Sequence, residues 1–250
     1  MYQEERLVKI LEYLNENINM SVHDICEKLD VSRDTARRDI LKLIEKGAAI
    51  RTHGGISLPI IRNKIEAYKE RLQEYSEEKK NIAVKALDFI KDKEHYYFDV
   101  STTVCYLAEL IDKKVTIVTH SLDNLQILSE KENVDVYSTG GCLNKSNRFF
   151  YGDYTKSYIE ERFFDAVFLG AGSIMQKGVY LLDEEDAVIK QAVVKKSRKV
   201  IVLADSKKFN ILTYYKGISW NQIDVIITDK TPPLVFLDII EENDIELIIT

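Results

Sequence analysis

The feature that most constrains this fold is an alternation that begins near residue 95 and continues to residue 249. Short runs rich in Val, Ile, Phe and Tyr at 95–99, 115–119, 134–138, 166–169, 199–204, 224–228 and 246–249 read as strands. Apolar residues at helical spacing occupy 104–111, 121–130, 184–197 and 234–242 between them. Strands that alternate with helices build βαβ units, in which a mostly parallel sheet is covered on both faces. The expected fold class of this region is therefore α/β. No internal repeat or low-complexity segment interrupts it.

The first 58 residues follow a different pattern. Leu7, Ile10, Leu11 and Leu14 fall at i, i+3, i+4 and i+7, which marks an amphipathic helix. Val22, Ile25, Cys26 and Leu29 repeat the spacing over a shorter helix, with Ser21 placed as its N-cap. After Asp30-Val31, Ser32 is a second N-cap and Asp34 lies in the first turn, where the helix dipole favours an acid. That third helix buries Ala36, Ile40, Leu43 and Ile44, and Gly47 is its stop signal. Residues 48–58 then read as two short strands around a turn at Gly54-Gly55. Three compact helices and a small hairpin make a winged helix-turn-helix. The expected organisation is a DNA-binding domain at 1–58, a charged helical linker at 59–76 and an α/β domain at 77–250.

A net charge of -6 excludes an indiscriminate polycation, so DNA binding must come from a local basic surface. On a helical wheel with Ala36, Ile40 and Leu43 inward, Arg38 points away from the core. Asp34, Thr35 and Lys42 share that outward half, and Arg37 flanks it. This is the face a recognition helix offers to the major groove. Arginine serves both purposes there, bidentate contact to guanine and phosphate clamping. Arg51 and His53 in the wing would lie near the backbone or the minor groove. Between residues 30 and 58 the basic side chains, Arg33 among them, only slightly outnumber the acidic ones, so a merely solvated face competes with this reading.

In an open parallel sheet, ligands bind beyond the carboxyl ends of the strands. Those ends are small and polar here: Asp99-Val100-Ser101-Thr102-Thr103, Thr119-His120-Ser121, Thr139-Gly140-Gly141, Gly170-Ala171-Gly172-Ser173 and Ala204-Asp205-Ser206-Lys207-Lys208. Backbone N–H groups and hydroxyls at helix starts suit an anion, and phosphate is the natural one. Any single loop of this kind is more often plain connection, but five in register point to a pocket. Cys26, Cys105 and Cys142 lack metal-ligand spacing and read as reduced thiols. The four histidines show no i, i+4 pair with a Glu. No metal site and no cofactor are expected.

The stretch Val31-Ser32-Arg33-Asp34-Thr35-Ala36-Arg37-Arg38-Asp39-Ile40, followed by Gly47, Arg51 and His53-Gly54-Gly55, resembles the N-terminal signature of DeoR/GlpR-family repressors. The resemblance implies that Ser32, Thr35, Arg37 and Arg38 contact DNA and that Gly54-Gly55 forms the wing turn. It continues through Glu78-Lys79-Lys80-Asn81-Ile82-Ala83, Phe164-Asp165, Gly178, Asp183-Glu184-Glu185-Asp186-Ala187, Lys190, Asp205-Ser206 and Lys208-Phe209. These segments are similar to the family's sensor domain, whose sheet resembles that of ribose-5-phosphate isomerase. A phosphorylated sugar is then implied as effector, lined by Asp99, Thr102, Thr103, Ser121, Gly140, Gly141, Gly170, Gly172 and Lys190. Ser101, Asp205 and Lys208 complete the candidate pocket, and Lys190 would be a cationic partner for the phosphate. The chain departs from the family's Asp-Ser-Gly-Thr-Thr loop by carrying Val100 and Ser101, and it carries Tyr180 and Leu181 where small hydroxyl residues are usual.

The expected function is a cytoplasmic repressor of carbohydrate-metabolism genes. It would bind double-stranded operator DNA as a homo-oligomer and be released by a sugar phosphate, with no membrane partner. A sugar-phosphate isomerase-like enzyme and a DNA-binding regulator without an effector remain the alternatives. The spacing of Asp99, Asp183, Glu184 and Asp205 marks no acid–base pair.

Overall fold

The computed structural model describes residues 2–17, 19–45, 48–52, 54–57, 76–209, 211 and 213–250, in two compact units, Met1–Asn63 and Lys64–Thr250. His53, Gly47 and the linker segment 59–75 lie outside the described residues. None of the described helices is long and apolar enough to cross a membrane.

In the first unit, helices α1 (Gln3–Asn17), α2 (Val22–Leu29) and α3 (Arg33–Glu45) pack Leu7, Ile10, Leu14, Ile25, Ala36, Ile40 and Leu43 into one core. Ser21 caps α2 through a reciprocal pair: its hydroxyl accepts from the Asp24 N–H, and Asp24 accepts from the Ser21 N–H. Asp30 ends α2 in a left-handed conformation at φ 51°, which turns the chain sharply into α3. Ser32 then caps α3, accepting from the Thr35 N–H at 3.3 Å.

Strands β2 (Ile50–Thr52) and β3 (Gly55–Ser57) form the expected hairpin. A third strand, β1 (Asn19–Ser21), pairs antiparallel with β3, which the sequence pattern did not suggest. The two wing glycines serve different ends. Gly54 takes a positive φ of 95°, whereas Gly55 does not; a Cβ there would strike the Met20 carbonyl and Ser21 Cα across the β1–β3 pair.

Asp39, counted among surface charges in the sequence, is fully buried in the middle of α3. Arg6 Nε donates to Asp39 Oδ2 at 2.7 Å, and Gln3 Nε2 donates to Asp39 Oδ1 at 3.0 Å, bracing α1 against α3. The carboxylate holds the Arg6 guanidinium above its ordinary pKa through their hydrogen bond. Asp39→Ala is expected to lower the melting temperature of the first unit, because it strands these donors. An unchanged midpoint in residues 1–63 by thermal circular dichroism would show the brace to be dispensable.

The second unit is built on a seven-stranded parallel sheet. Its strands, in chain order, are β4 (His95–Phe98), β5 (Val115–Thr119), β6 (Val134–Ser138), β9 (Ala166–Gly170), β12 (Val200–Leu203), β14 (Val225–Thr228) and β15 (Glu246–Ile249). In space they run β15-β14-β12-β9-β4-β5-β6. All seven expected strands are present, because their apolar runs fit strands covered on both faces. Alternate residues enter opposite cores: Tyr97, Val167, Leu169 and Val202 on one side, Tyr96, Phe98, Phe168 and Ile201 on the other.

Helices α4 (Ser76–Ala86), α5 (Thr102–Leu110) and α6 (Leu122–Leu128) supply Ile82, Ala83, Val104, Leu107 and Leu128 to the second of those cores. Helices α7 (Asp153–Glu160), α8 (Glu184–Val194) and α9 (Leu234–Glu242) supply Ile159, Ile189, Val193, Phe236 and Ile240 to the first.

Three short features between residues 139 and 218 were not foreseen. These are the hairpin of β7 (Cys142–Asn144) with β8 (Phe149–Tyr151), helix α7, and a small sheet of β10 (Ser173–Met175), β11 (Gly178–Leu181) and β13 (Tyr215–Ile218). Phe149 of that hairpin packs in the core.

Candidate functional site

Two sites emerge, one in each unit. In the first unit, the outer face of α3 presents Ser32, Arg33, Asp34, Arg37, Arg38 and Leu41 to solvent, and Arg51 is exposed on β2. Thr35 is half-buried, its hydroxyl 3.0 Å from that of Ser32. Lys42 departs from the expected row: its ammonium donates to Gln3 Oε1 at 2.9 Å, so it is held against α1. Val22, Ile40 and Leu41 floor a groove between α3 and the hairpin, flanked by Arg37 and Arg51. Exposed guanidinium groups of this kind suit the phosphates of a duplex backbone.

In the second unit the chemistry follows from topology. The chain leaves β4 in one direction along the sheet, through β5 to β6, and then crosses back to β9 on the other side. A crevice opens where strand order reverses in this way, at the carboxyl ends of the two diverging strands. Asp99 ends β4 and Gly170 ends β9, and the Gly170 N–H donates to Asp99 Oδ2 at 2.8 Å.

Beside them lies a cleft of about 620 Å³, its open mouth included. Among its lining residues are Ser101, Thr102, Thr103, Gly170, Gly172, Lys190 and Lys208 of the sequence candidates, with Asn147, Asp183 and Asp186 added by the structure. Ser101 caps α5, its Oγ accepting from the Thr103 N–H at 3.2 Å, which places the start of that helix in the wall.

The other candidates stand away from the cleft. Ser121 is buried, caps α6 by accepting from the Asn124 N–H and donates its own N–H to Thr119 Oγ1. Gly140 and Gly141 follow β6 and pack on Tyr154 and Thr155 of α7, with the Gly140 carbonyl accepting from Thr155 Oγ1 at 2.6 Å. Asp205 turns inward and accepts from the Lys207 N–H. Asp99 lies behind the cleft and is fully buried.

Lys190 also takes a different part from the one its sequence context implied. Its ammonium is 1% exposed, donating to Asp99 Oδ2 at 2.5 Å and to Asp186 Oδ1 at 2.9 Å. Two carboxylates already use its charge, so it is no simple phosphate partner.

His120 completes a buried tetrad, its Nε2 3.8 Å from Asp99 Oδ1 and 3.7 Å from Asp186 Oδ1. Tyr97 stacks on the imidazole at 18° between planes, and its hydroxyl is 2.6 Å from His120 Nδ1. Phe149 closes the far edge of the ring.

The electrostatics of the tetrad are a contest between burial and pairing. Burial alone would push the Lys190 ammonium down, but Asp186 and Asp99 outweigh it and hold its pKa above the ordinary lysine value. Burial pushes Asp186 up, and Lys190 with His120 reverses this, leaving its carboxyl below the ordinary range. At Asp99 burial prevails, aided by Asp186, and its carboxyl stays above the ordinary range despite Lys190. Burial, with Asp99 and Asp186 beside it, raises the Tyr97 phenol well above its usual value.

Sequence reading missed His120 and Asp186 as site residues. The signals available were the strand end Thr119-His120-Ser121, the resemblance over residues 183–187, and the i, i+4 spacing of Asp186 and Lys190 on a single helix.

Comparison with known proteins identifies the family of each unit. A model of the DeoR-like helix-turn-helix domain matches residues 6–60, and a model of the DeoR C terminal sensor domain matches residues 74–230. The HTH-type transcriptional repressor GlcR of Bacillus subtilis (strain 168) is 39% identical over 100% of this chain and 97% of its own length. A putative aga operon transcriptional repressor of Escherichia coli O157:H7 is 28% identical over 98% of this chain and 93% of its own. Ribose 5-phosphate isomerase A from Methanocaldococcus jannaschii overlays 52% of this chain and 53% of its own at a TM-score of 0.38 and 14% identity, too loose an overlap for anything to rest on.

Proposed function

Because this chain belongs to the DeoR family of helix-turn-helix transcriptional regulators, we propose that it represses carbohydrate-metabolism genes and leaves its operator when a sugar phosphate fills the sensor cleft. In this reading residues 1–58 read DNA, 59–76 link, and 77–250 sense, and the protein acts in the cytoplasm. Ser32, Arg33, Thr35, Arg37 and Arg38 meet the major groove, while Arg51 and His53 meet the backbone beside it. Lys42, tied to Gln3, contributes charge rather than base contact. A homodimer places two such helices on successive half-sites of the duplex.

The observation that carries the sensor half is the cleft at the strand-order reversal, whose lining is of mixed chemistry. The start of α5 and Lys208 suit a phosphate, through helix-end N–H groups and a cation. Asn147, Asp183, Asp186 and Lys190 suit hydroxyl groups, which both donate and accept. Against an isomerase, both buried carboxylates are engaged by Lys190 rather than poised to take a proton.

Fluorescence anisotropy on DNA from upstream of the gene, at fixed salt, with and without a panel of sugar phosphates, tests the whole reading. Specific binding relieved by one phosphosugar is the expected result; specific binding that none of them alters removes the effector. Linkage adds a second check, since operator DNA must weaken effector binding by the same factor. Arg38→Ala is expected to weaken operator binding about tenfold, within the 1–3 kcal/mol of a base contact. Unchanged affinity would take Arg38 off the interface.

A further inference from the structure

Two polar atoms of the tetrad behind the cleft lack partners, and the hydrogen-bonding character of the 3.8 Å gap between them can be worked out. Asp99 Oδ1 and His120 Nε2 are both buried, face each other at 3.8 Å, and have no hydrogen-bond partner. Unsatisfied polar atoms in such a place call for a guest.

The guest's chemistry follows from Tyr97. Its phenol is fully buried and protonated, and the hydrogen bond it makes is to His120 Nδ1 at 2.6 Å. Were it to accept there, its own proton would be left without an acceptor. The phenol therefore donates, Nδ1 holds a lone pair, and the ring carries its proton on Nε2.

The gap thus offers one donor, the Nε2–H, and two acceptors, Asp99 Oδ1 and Asp186 Oδ1. An oxygen that accepts once and donates once matches this donor and acceptor set, with hydrogen bonds of about 2.8 Å. A carbonyl leaves Asp99 without a donor. An ammonium has no lone pair for the Nε2–H. A divalent cation drawn to Asp99, His120 and Asp186 meets a proton on Nε2 and the Lys190 ammonium between the carboxylates.

Resting on the cleft being a sugar-phosphate site, we propose that one hydroxyl group of the effector seats between His120 Nε2 and Asp99 Oδ1, and that these two residues select which sugar phosphate is recognised. The hydroxyl enters past Asp186 and Lys190, the tetrad members that line the cleft. Asp186, with a side chain 12% exposed, is the accessible one.

The test is calorimetric titration of the full-length protein with glucose 6-phosphate, galactose 6-phosphate, fructose 6-phosphate and inorganic phosphate, then with each monodeoxy analogue of the tightest sugar phosphate. One deoxy analogue is expected to bind at least tenfold more weakly than its parent. In His120→Phe that gap should close to within twofold while the other analogues keep their order, a coupling that a purely structural histidine would not produce. Tyr97→Phe, which keeps the imidazole but frees its tautomer, should cut the same discrimination to below threefold; it serves if His120→Phe does not fold. If every deoxy analogue binds wild type within twofold of the parent, the gap holds water only and the inference is overturned alone. If no sugar phosphate binds, the sugar-phosphate reading falls and takes this inference with it.

Discussion

Replacing Lys190 with methionine is expected to lower the unfolding free energy of the sensor unit by about 3–5 kcal/mol near neutral pH, the cost of stranding buried charges. Methionine matches the lysine stem in length, so packing is kept and the lost ammonium dominates. What remains is Asp99, fully buried, and Asp186, largely buried, with no cation between them. Urea denaturation of the full chain, followed by the single Trp220, reads the effect directly. An unchanged midpoint would mean that another group neutralises the pair.

The pH dependence of the variant should have a definite sign. Without Lys190 the folded state holds protons on these carboxyls at a pH where the unfolded chain has released them. Stability must then rise as pH falls from 8 towards 5. In the wild type the raised Lys190 contributes stability below the ordinary lysine range and loses it as pH climbs through its folded value. The lowered Asp186 contributes above the ordinary carboxylate range and loses it as pH falls through its folded value. Asp99, raised, acts oppositely: its contribution is present at low pH and fades as pH rises. The wild type should therefore show less acid stabilisation than the variant over the same window.

Gly170→Ala is the second large effect, about 3 kcal/mol at the upper end of the cost of overpacking. A methyl there would fall inside the van der Waals envelope of Ser101 Cβ and Oγ. A Cβ is fixed to the backbone and cannot swing away as a flexible side-chain end could. Relief should come from Ser101→Gly, which restores the space at the cost of a few tenths of a kcal/mol for the changed helix cap. The double variant is expected to recover most of the lost stability, and a strictly additive outcome would show that the two residues do not meet. The departure at Ser101 noted in the sequence is thus coupled to a glycine on the neighbouring strand.

How far the sequence foretold this depended on the range of the interactions. Strands such as β9 and β12 are continuous apolar runs, and α3 carries its spacing and its cap within a dozen residues, so both could be read locally. The extra strand β1 could not, because three residues have no periodicity to count. Asp39 misled for a related reason. Its neighbours on either side, Arg38 and Ile40, point to opposite surroundings, and only the position of Arg6 one helix away decides that the carboxylate is internal. The pocket shows the same divide. Ser101, Thr102, Thr103, Gly170 and Gly172 were visible as strand ends, and the structure gathers them in one wall. Gly140, Gly141 and Ser121 looked identical in composition, but β5 and β6 lie on the side of the sheet away from the reversal. The tetrad draws on β4, the start of α6 and α8, and no local pattern links residues so far apart in the chain.

The brace between α1 and α3 bears on how such a protein can acquire a new target. Asp39 and Lys42 face inward and hold the helix in place, whereas Arg33, Asp34, Arg37, Arg38 and Leu41 carry none of the core. On the function proposed above, placement and vocabulary are then written on separate faces of one helix. Randomising the five outward positions while Gln3, Arg6, Asp39 and Lys42 are kept should yield a library in which nearly every member folds and differs only in the sequence it prefers. A gene duplicate could wander between operators by surface exchange alone, without passing through an unstable intermediate.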